Sequence, residues 1–449
     1  MSHHLLTLSP TDVLFFRDGR PMEGSSCGHG AAWPMPNVLS SALHHALRRA
    51  DLGDTHLHRP ARNGQVFSHD RDLKGREFGS LQIAGPFPVA NGQWLFPRPA
   101  DADLTKSSAT THRPLGTTID GAASSLGAKL RPVVNTRPPS KDKAEPWLSA
   151  HAYAAYLQDS TSPDENHFFQ DNQIFAAEHN IGIGIDPESQ SQDGERIYSA
   201  SYLRLKPHIQ LGLIGQCMDK GACGKSADLD LIVRIFPNSG TQTHILAGGQ
   251  QRTCSVVRST QEILPLPRGA TITGTRVRWT LLTPAIFPEL KISDKNPTAH
   301  GGGWLPSWID PTTLRVQLKD PQASARGHEA RDLWRKRVAS LPAIQATLVA
   351  ATISRAIPVT GWALTDNDND GHASEGGAKS THLAVPAGSV YYFQCDNKEA
   401  ATALATALNW HSSPPGTSIQ NRRSSLMGEK GFGLGVCSTW NFHACSGAL

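Results

Sequence analysis

Three apolar residues, Leu14-Phe15-Phe16, run without a break into Arg17-Asp18-Gly19-Arg20-Pro21-Met22. That junction must end a strand. Asp tolerates left-handed backbone, Gly adopts it at no steric cost, and Pro21 cannot donate to a central sheet. Arg17 and Arg20 are thereby displayed at one sheet corner. Next, Pro34-Met35-Pro36-Asn37 leads into Val38, Leu39, Ala42, Leu43, Ala46 and Leu47, a spacing that predicts one apolar helix face with Asn37 as its cap. Guanidinium groups suit bidentate phosphate contacts, and a helix start adds amide donors, so the unit fits a nucleic-acid backbone. A plainer alternative is that Arg17 pairs with Asp18 or a nearby carboxylate and solvates a loop.

With 449 residues the chain exceeds one ordinary core, so two domains are expected. No aromatic residue occurs from Pro97 to Pro146, which predicts an insertion that buries little and loops out. Ala150 to Leu157 reads as a short helix. In His179 to Asp186, Ile181, Ile183 and Ile185 alternate with glycines, giving a strand with one apolar and one bare face. Ile197 to Leu205 and Leu229 to Phe236 read as further strands, the first completing a β-ribbon. Thr271 to Phe287 echoes Leu5 to Phe16 and sets a boundary near residue 269. Ala325 to Leu341 predicts a helix whose Arg331, Arg335, Lys336 and Arg337 form a solvated face. Val385 to Phe393 is a turn into a strand, Glu399 to Trp410 a helix, and Gly428 to Gly435 a glycine-rich close. The class is α+β, with two ferredoxin-like βαββαβ domains, 1–269 and 270–449.

Lys and Arg exceed Asp and Glu by 43 to 39, a net +4, so any nucleic-acid contact must be local. Seven cysteines without a CxxC pair argue against a disulfide framework and a zinc ribbon, and predict reduced thiols. No secretory signal and no run of about 18 apolar residues is visible, so a cytoplasmic chain without membrane contact is expected. Gly24-Ser25-Ser26-Cys27-Gly28 fits GxSxG but lacks the following helix. Gly224-Lys225-Ser226 has Asp219 where a phosphate loop needs glycine. Asp366 to Gly371 copies half a calcium loop, but its twelfth position is Gly377. No metal, cofactor or catalytic set is therefore expected. Lys430-Gly431-Phe432-Gly433 passes the same filter: alternate glycines admit phosphates, Lys430 adds charge, and Phe432 can stack on a base. The alternative is a strand corner packed against the helix after Pro36.

These segments in this order resemble the RAMP-superfamily third subunit of type III-B (Cmr) CRISPR effector complexes. The resemblance rests on Leu14 to Met22, Trp33 to Leu47, Gly182 to Asp186 with Tyr198 to Leu205, and Ala247-Gly248-Gly249-Gln250-Gln251-Arg252. It continues through Leu282 to Phe287, Gly303 to Pro306, Gly361-Trp362, Val385 to Phe393 and Gly431 to Gly433. It implies two RRM-like domains, a β-hairpin thumb within 168–201, and a non-catalytic subunit gripping the five-prime handle of the crRNA. Implied partners are the crRNA and the guide-target duplex, the large polymerase/cyclase subunit and the backbone RAMP subunits. Carried onto this chain, Arg17 and Arg20 become handle-phosphate ligands, with Asn37, Ser40 and Ser41 at the helix start. Lys430, Gly431, Phe432 and Gly433 form the facing loop, Ser199, Ser201 and Arg204 line the ribbon, and Arg252 joins the RNA-binding set. Related RAMP proteins cleave precursor crRNA without metal, a role His44, His45 or Tyr198 would have to serve here. A purely architectural, protein-binding subunit is the third alternative.

Overall fold

The computed structural model describes residues 3–17, 19, 27–28, 31–50, 81–105, 108–116, 129–135, 144–159, 165–185, 188–189, 191–219, 229–237, 243–292, 298–363, 366–367, 373–374, 377–378, 380–411 and 417–443. Strand β1 (His4–Pro10) alternates, so Leu6 and Leu8 enter one core while Leu5 enters another. Helix α1 (Pro36–Arg49) lays Leu39, Ala42, Leu43, Ala46 and Leu47 over the first of these faces. Pro36 opens the helix, where a missing N–H costs nothing. Asn37 therefore lies inside the first turn and is not the cap that its position in the sequence suggests.

Strands β2 (Gln82–Ala90), β3 (Gln93–Pro97) and β4 (Trp147–Ser149) follow, then helix α2 (Ala150–Leu157) and strand β5 (Phe168–Phe169). The long strands β6 (Phe175–Ile185) and β7 (Gln192–Leu205) pair as a hairpin, and β8 (Ile209–Gln216) returns to the main sheet. Helix α3 (Leu231–Ile235) and strands β9 (Thr243–Leu246) and β10 (Thr253–Thr260) complete this half. Its sheet runs β5-β4-β3-β2-β8-β1-β10-β9, antiparallel throughout. Leu231 to Ile235 is helical where β-branched composition predicts strand. The reason is local: Asp230 Oδ1 accepts from the amides of Ile232 and Val233, capping a single turn that the core then buries.

The second half contains β11 (Arg276–Leu281), α4 (Arg331–Ser340), β12 (Ala346–Thr352), β13 (Val390–Cys395), α5 (Lys398–Leu408) and β14 (Gly435–Thr439). Its sheet runs β12-β13-β11-β14, again antiparallel. Counting the main strands of each half as first to fourth, β2-β8-β1-β10 and β12-β13-β11-β14 share one order: second, third, first, fourth. Helix α5 packs Ala401, Leu404, Ala405, Ala407 and Leu408 on the second sheet. Helix α4 buries nothing, as its charged sequence predicts, although it starts at Arg331 and not near Ala325. Leu305, Ile309, Leu314 and Val316 fill the face that α4 leaves uncovered.

Between the sheets sits a buried polar cluster. Asp101 is fully buried and accepts from the hydroxyls of Tyr156 and Tyr392, each at 2.7 Å, and from Arg278 Nη1 at 3.2 Å. Arg278 also donates to Ser438 Oγ and to the Tyr156 carbonyl, and its guanidinium lies 4.2 Å from the Tyr156 ring centre. Burial opposes the Arg278 charge, but Tyr156, Asp101 and Tyr392 hold its pKa above the ordinary value. Burial raises both tyrosines well above theirs, so they stay neutral donors. In the described parts of 97–146 this corrects the expectation that the stretch buries little and loops out. Asp101 comes from that stretch, Leu130 enters the core of the second half, Arg131 N–H donates to Val349 O, and Ala100 N–H donates to Gly388 O. A segment without aromatics thus docks through one carboxylate, its backbone and small or aliphatic side chains such as Ala102 and Leu130.

Removing one partner of a buried pair strands the other charge, at about 3–5 kcal/mol. Arg278→Met is therefore expected to lower unfolding stability by about that amount in urea titrations. Asp101→Asn with Arg278→Met should recover part of the loss, because no isolated charge remains.

Candidate nucleic-acid interface

The basic turn is built onto the hairpin. Leu14 and Leu203 exchange N–H···O=C bonds of 2.8 Å in both directions, which fastens the segment after β1 to β7. Phe16 O accepts from Ala31 N–H at 2.7 Å, and Phe15 O from Gly249 N–H at 2.8 Å. The next residue, Arg17, is exposed. Gly19 is buried against Pro358 and Val359 of the other half, where any Cβ would collide with the Pro358 carbonyl. Arg20 and Asp18 lie outside the described residues.

The turn Gly249–Arg252 rests on Phe15. Gly248 has φ +84°, and a Cβ there would meet Phe15 O at 2.5 Å. Gln250 and Gln251 both hold positive φ, +54° and +53°, conformations that glycine or asparagine adopts far more readily. Tyr202 OH donates to Gln250 Oε1 at 2.8 Å, and the Arg252 guanidinium lies 5.1 Å from the Tyr202 ring centre. The two motifs at 14–22 and 247–252, far apart in sequence, thus form one surface with β7.

The ribbon residues divide. Ser199 and Ser201 are half-buried on β7, opposite Ile181 and His179 of β6. Ser199 also pairs in parallel with Cys27. Arg204 is exposed but engaged: Nε and Nη2 donate to Glu178, and Nη2 lies 3.0 Å from Asp12 Oδ1. These partners, Glu178 first, hold the Arg204 pKa above its ordinary value. Ile181 is 77% exposed on the same hairpin.

The glycine-rich loop takes the packed alternative. Phe432 is fully buried with Ile286, Val359 and Ala384, so it cannot stack on a base. Gly431, at φ +100°, faces Pro36 and the Gly85 carbonyl, placing the loop against the start of α1. Gly433, at φ +78°, donates to Pro284 O, and a Cβ there would overlap Ser424 N. Lys430 is half-buried. At the helix start, Asn37 Nδ2 donates to Thr360 O at 3.1 Å, Ser40 is buried, and Ser41 Oγ returns to Asn37 O at 2.9 Å. The helix start is therefore filled by protein. Arg422 Nη1 donates to Ile83 O and Arg423 Nε to Ala407 O, and burial pushes both guanidiniums down to about 10.

Of the other motifs, Gly24 to Ser26, Gly224 to Ser226 and Asp368 to Gly371 lie outside the described residues, as does the Tyr198 side chain. Among the described residues no group of three or more His, Cys, Asp or Glu could hold a metal, and no helix is long and apolar enough to cross a membrane. His45 is exposed and His44 half-buried on α1. Asp12, which the sequence reading passed over, belongs to the surface with Tyr202 and the strained Gln250-Gln251 pair, and only the tertiary contacts make them neighbours.

Because Gly433 is enclosed by backbone, Gly433→Val is expected to act on the fold, with a stability loss of at least about 3 kcal/mol in thermal or urea unfolding. An unchanged melting temperature with lost RNA binding would return this loop to the interface.

Comparison with known proteins places the chain. It is similar to a chain in the cryo-EM structure of the type III-B Cmr-beta complex bound to cognate target RNA and AMPPnP. The two share 12% identity and a TM-score of 0.38 over 87% of this chain and 86% of that one. A chain of the Csm3–Csm4 subcomplex of the type III-A interference complex aligns at 10% identity and TM-score 0.34, over 88% and 93%. A chain of the Csm1–Csm4 cassette with AMPPNP aligns at 10% and 0.28, over 67% and 86%. No curated protein matches significantly. The sequence of residues 6–440 matches the family described as CRISPR-associated protein (Cas_Cmr3), and with nearly its whole length matched the chain belongs to that family.

Proposed function

We propose that this Cas_Cmr3 protein is a non-catalytic subunit of a type III CRISPR effector complex that grips the five-prime handle of the crRNA. It bridges the large polymerase/cyclase subunit and the backbone RAMP subunits, and both halves, 1–269 and 270–449, are ferredoxin-like domains. Family membership supports the complex. The shared strand order second, third, first, fourth, with a helix after the first and third strands in sequence, supports the domain reading. The β6–β7 hairpin serves as the thumb.

One observation carries the RNA-binding part. The segment ending in Arg17, the base of the hairpin and the turn ending in Arg252 are fastened together by backbone hydrogen bonds at Leu14 and Phe15. Arg17 is exposed at that junction, and Arg252 stacks on Tyr202 of the same surface. Guanidiniums fixed on rigid backbone suit phosphates, and guide pairing rather than protein side chains would read sequence. Of Lys430, Gly431, Phe432 and Gly433, the buried Phe432 packs with Val359, the strand residue on which Gly19 rests, so this loop contributes through packing. The endoribonuclease alternative gains no support from His45, which stands alone on an exposed helix position with no paired acid or base among the described residues.

Arg17→Ala, assayed with the large subunit present, should weaken handle binding nearly equally for all base sequences and flatten the salt dependence by about 0.7. A wild-type salt slope in a folded variant would make the turn structural. The wild-type protein should leave single-stranded and precursor crRNA intact with and without divalent metal. Site-specific cleavage lost in His44→Ala or Tyr198→Phe would favour the nuclease alternative instead.

A further inference from the structure

Asp12 stands between two of the arginines of this surface. Its Oδ1 lies 3.0 Å from Arg204 Nη2, and its Oδ2 lies 3.7 Å from Arg252 Nη1. The Val13 amide and Arg204 hold the Asp12 carboxyl below the usual carboxylate range, so it is ionised at neutral pH. The two contacts are unequal. Arg204 is gripped a second time by Glu178, whereas Arg252 stays beyond hydrogen-bond distance of Asp12. The Arg252 Nε is buried and meets no acceptor among the described residues. Its guanidinium is nevertheless fixed, by stacking on Tyr202, whose hydroxyl is tied to the strained Gln250.

An arginine that is oriented, only loosely neutralised and short of one acceptor is set up for a bidentate oxyanion. The Asp12 side chain is 55% exposed, and exposed ion pairs contribute little, so exchanging that carboxylate for a phosphate is cheap. We propose that Asp12 is a built-in counter-ion that occupies the position of an RNA phosphate, holding Arg252 and Arg204 until a phosphodiester displaces it. This deepens the handle-binding reading and rests on it. The consequence is selectivity. A strand that docks loosely is repelled by the carboxylate, and only one that also engages Arg17 and the Gly249–Arg252 turn gains enough to displace it.

The test uses the full chain, a fluorescein-labelled short single-stranded RNA of mixed sequence, and fluorescence anisotropy across a KCl series. Asp12→Asn keeps an acceptor for the Val13 amide and should melt with the wild type. It should bind the RNA up to about fivefold more tightly, the range set by one exposed ion pair. Its salt slope should steepen by about 0.7, for Arg252 alone, because Glu178 still holds Arg204. Arg252→Gln should cost more affinity in the Asp12→Asn background than in the wild type, and Asp12→Ser should repeat both readings. If the wild type binds RNA and Asp12→Asn binds with the same affinity and slope, the counter-ion inference falls and the RNA-binding surface stands. Tighter binding with an unchanged slope and additive Arg252→Gln also overturns it, reducing Asp12 to a diffuse charge. No binding by either protein overturns both.

Discussion

The Asp101 carboxylate, enclosed by Arg278, Tyr156 and Tyr392, is the point through which the two sheets are registered. Arg278 and Tyr392 belong to neighbouring strands of the second sheet, Tyr156 to the helix lying between the sheets, and Asp101 to the segment after β3. A carboxylate with three donors on three elements tolerates little displacement, since losing any one leaves a buried lone pair or charge uncompensated. Apolar contacts around it are less particular. Leu5, Ala84 and Ile214 from the first half share one core with Leu282, Leu434 and Val436 from the second. Volume-conserving changes among those residues leave the fold intact, whereas the polar cluster fixes which faces meet. That register brings the Ile357–Val359 strand under Gly19, and so sets the height of the turn carrying Arg17.

Much of the fold was legible in the sequence where pattern and local chemistry agree. Leu39, Ala42, Leu43, Ala46 and Leu47 read as one helix face and pack as one, and Ala150 to Leu157 became a helix with matching ends. Reading failed where a single hydrogen bond outvoted composition. Asp230 turned Leu231 to Ile235 into a helix, and Pro36 moved the helix start ahead of Asn37. It failed again at residues 97–146, because scarcity of aromatics measures apolar burial and is blind to a buried carboxylate. The site was legible by motif and not by residue. Leu14 to Arg17, residues 198–205 and residues 247–252 do converge, but Gly431 to Gly433 carry the special backbone that two glycines suggest for packing, while Phe432 vanishes into the core.

The strain in the interface points the same way as its charges. Gln250 and Gln251 pay a backbone penalty of about 1–3 kcal/mol each, which persists only if the surroundings over-determine the turn. Those surroundings are visible: Gly248 and Gly249 pressed on Phe15, and Tyr202 bonded to Gln250. A turn held this firmly aims the following residue, Arg252, with less conformational freedom than a long cation usually keeps. Orientation achieved before binding spares the entropy of ordering a side chain at the moment of contact.

The hairpin presents the opposite case. Strand β6 has 11 residues, so at about 3.3 Å per residue it reaches on the order of 35 Å. Among the described residues the hairpin is tied down near its base by Leu14 at Leu203 and further out, opposite Asn180 and Ile181, by the short parallel pairing of Cys27–Gly28 with Ser199–Ala200. Beyond that point, among the described residues, Gly182, Ile183 and Ile185 pair only with β7. The exposed Ile181, set beside Ser199, adds apolar surface that nothing else in the described chain covers. The two parts differ physically: the segment ending in Arg17 and the turn ending in Arg252 are both braced at Phe15, whereas the outer hairpin is a two-stranded ribbon. On the proposed RNA-binding reading, the braced part would meet a short handle with little reorganisation, while the hairpin would present its exposed Ile181 to a longer partner.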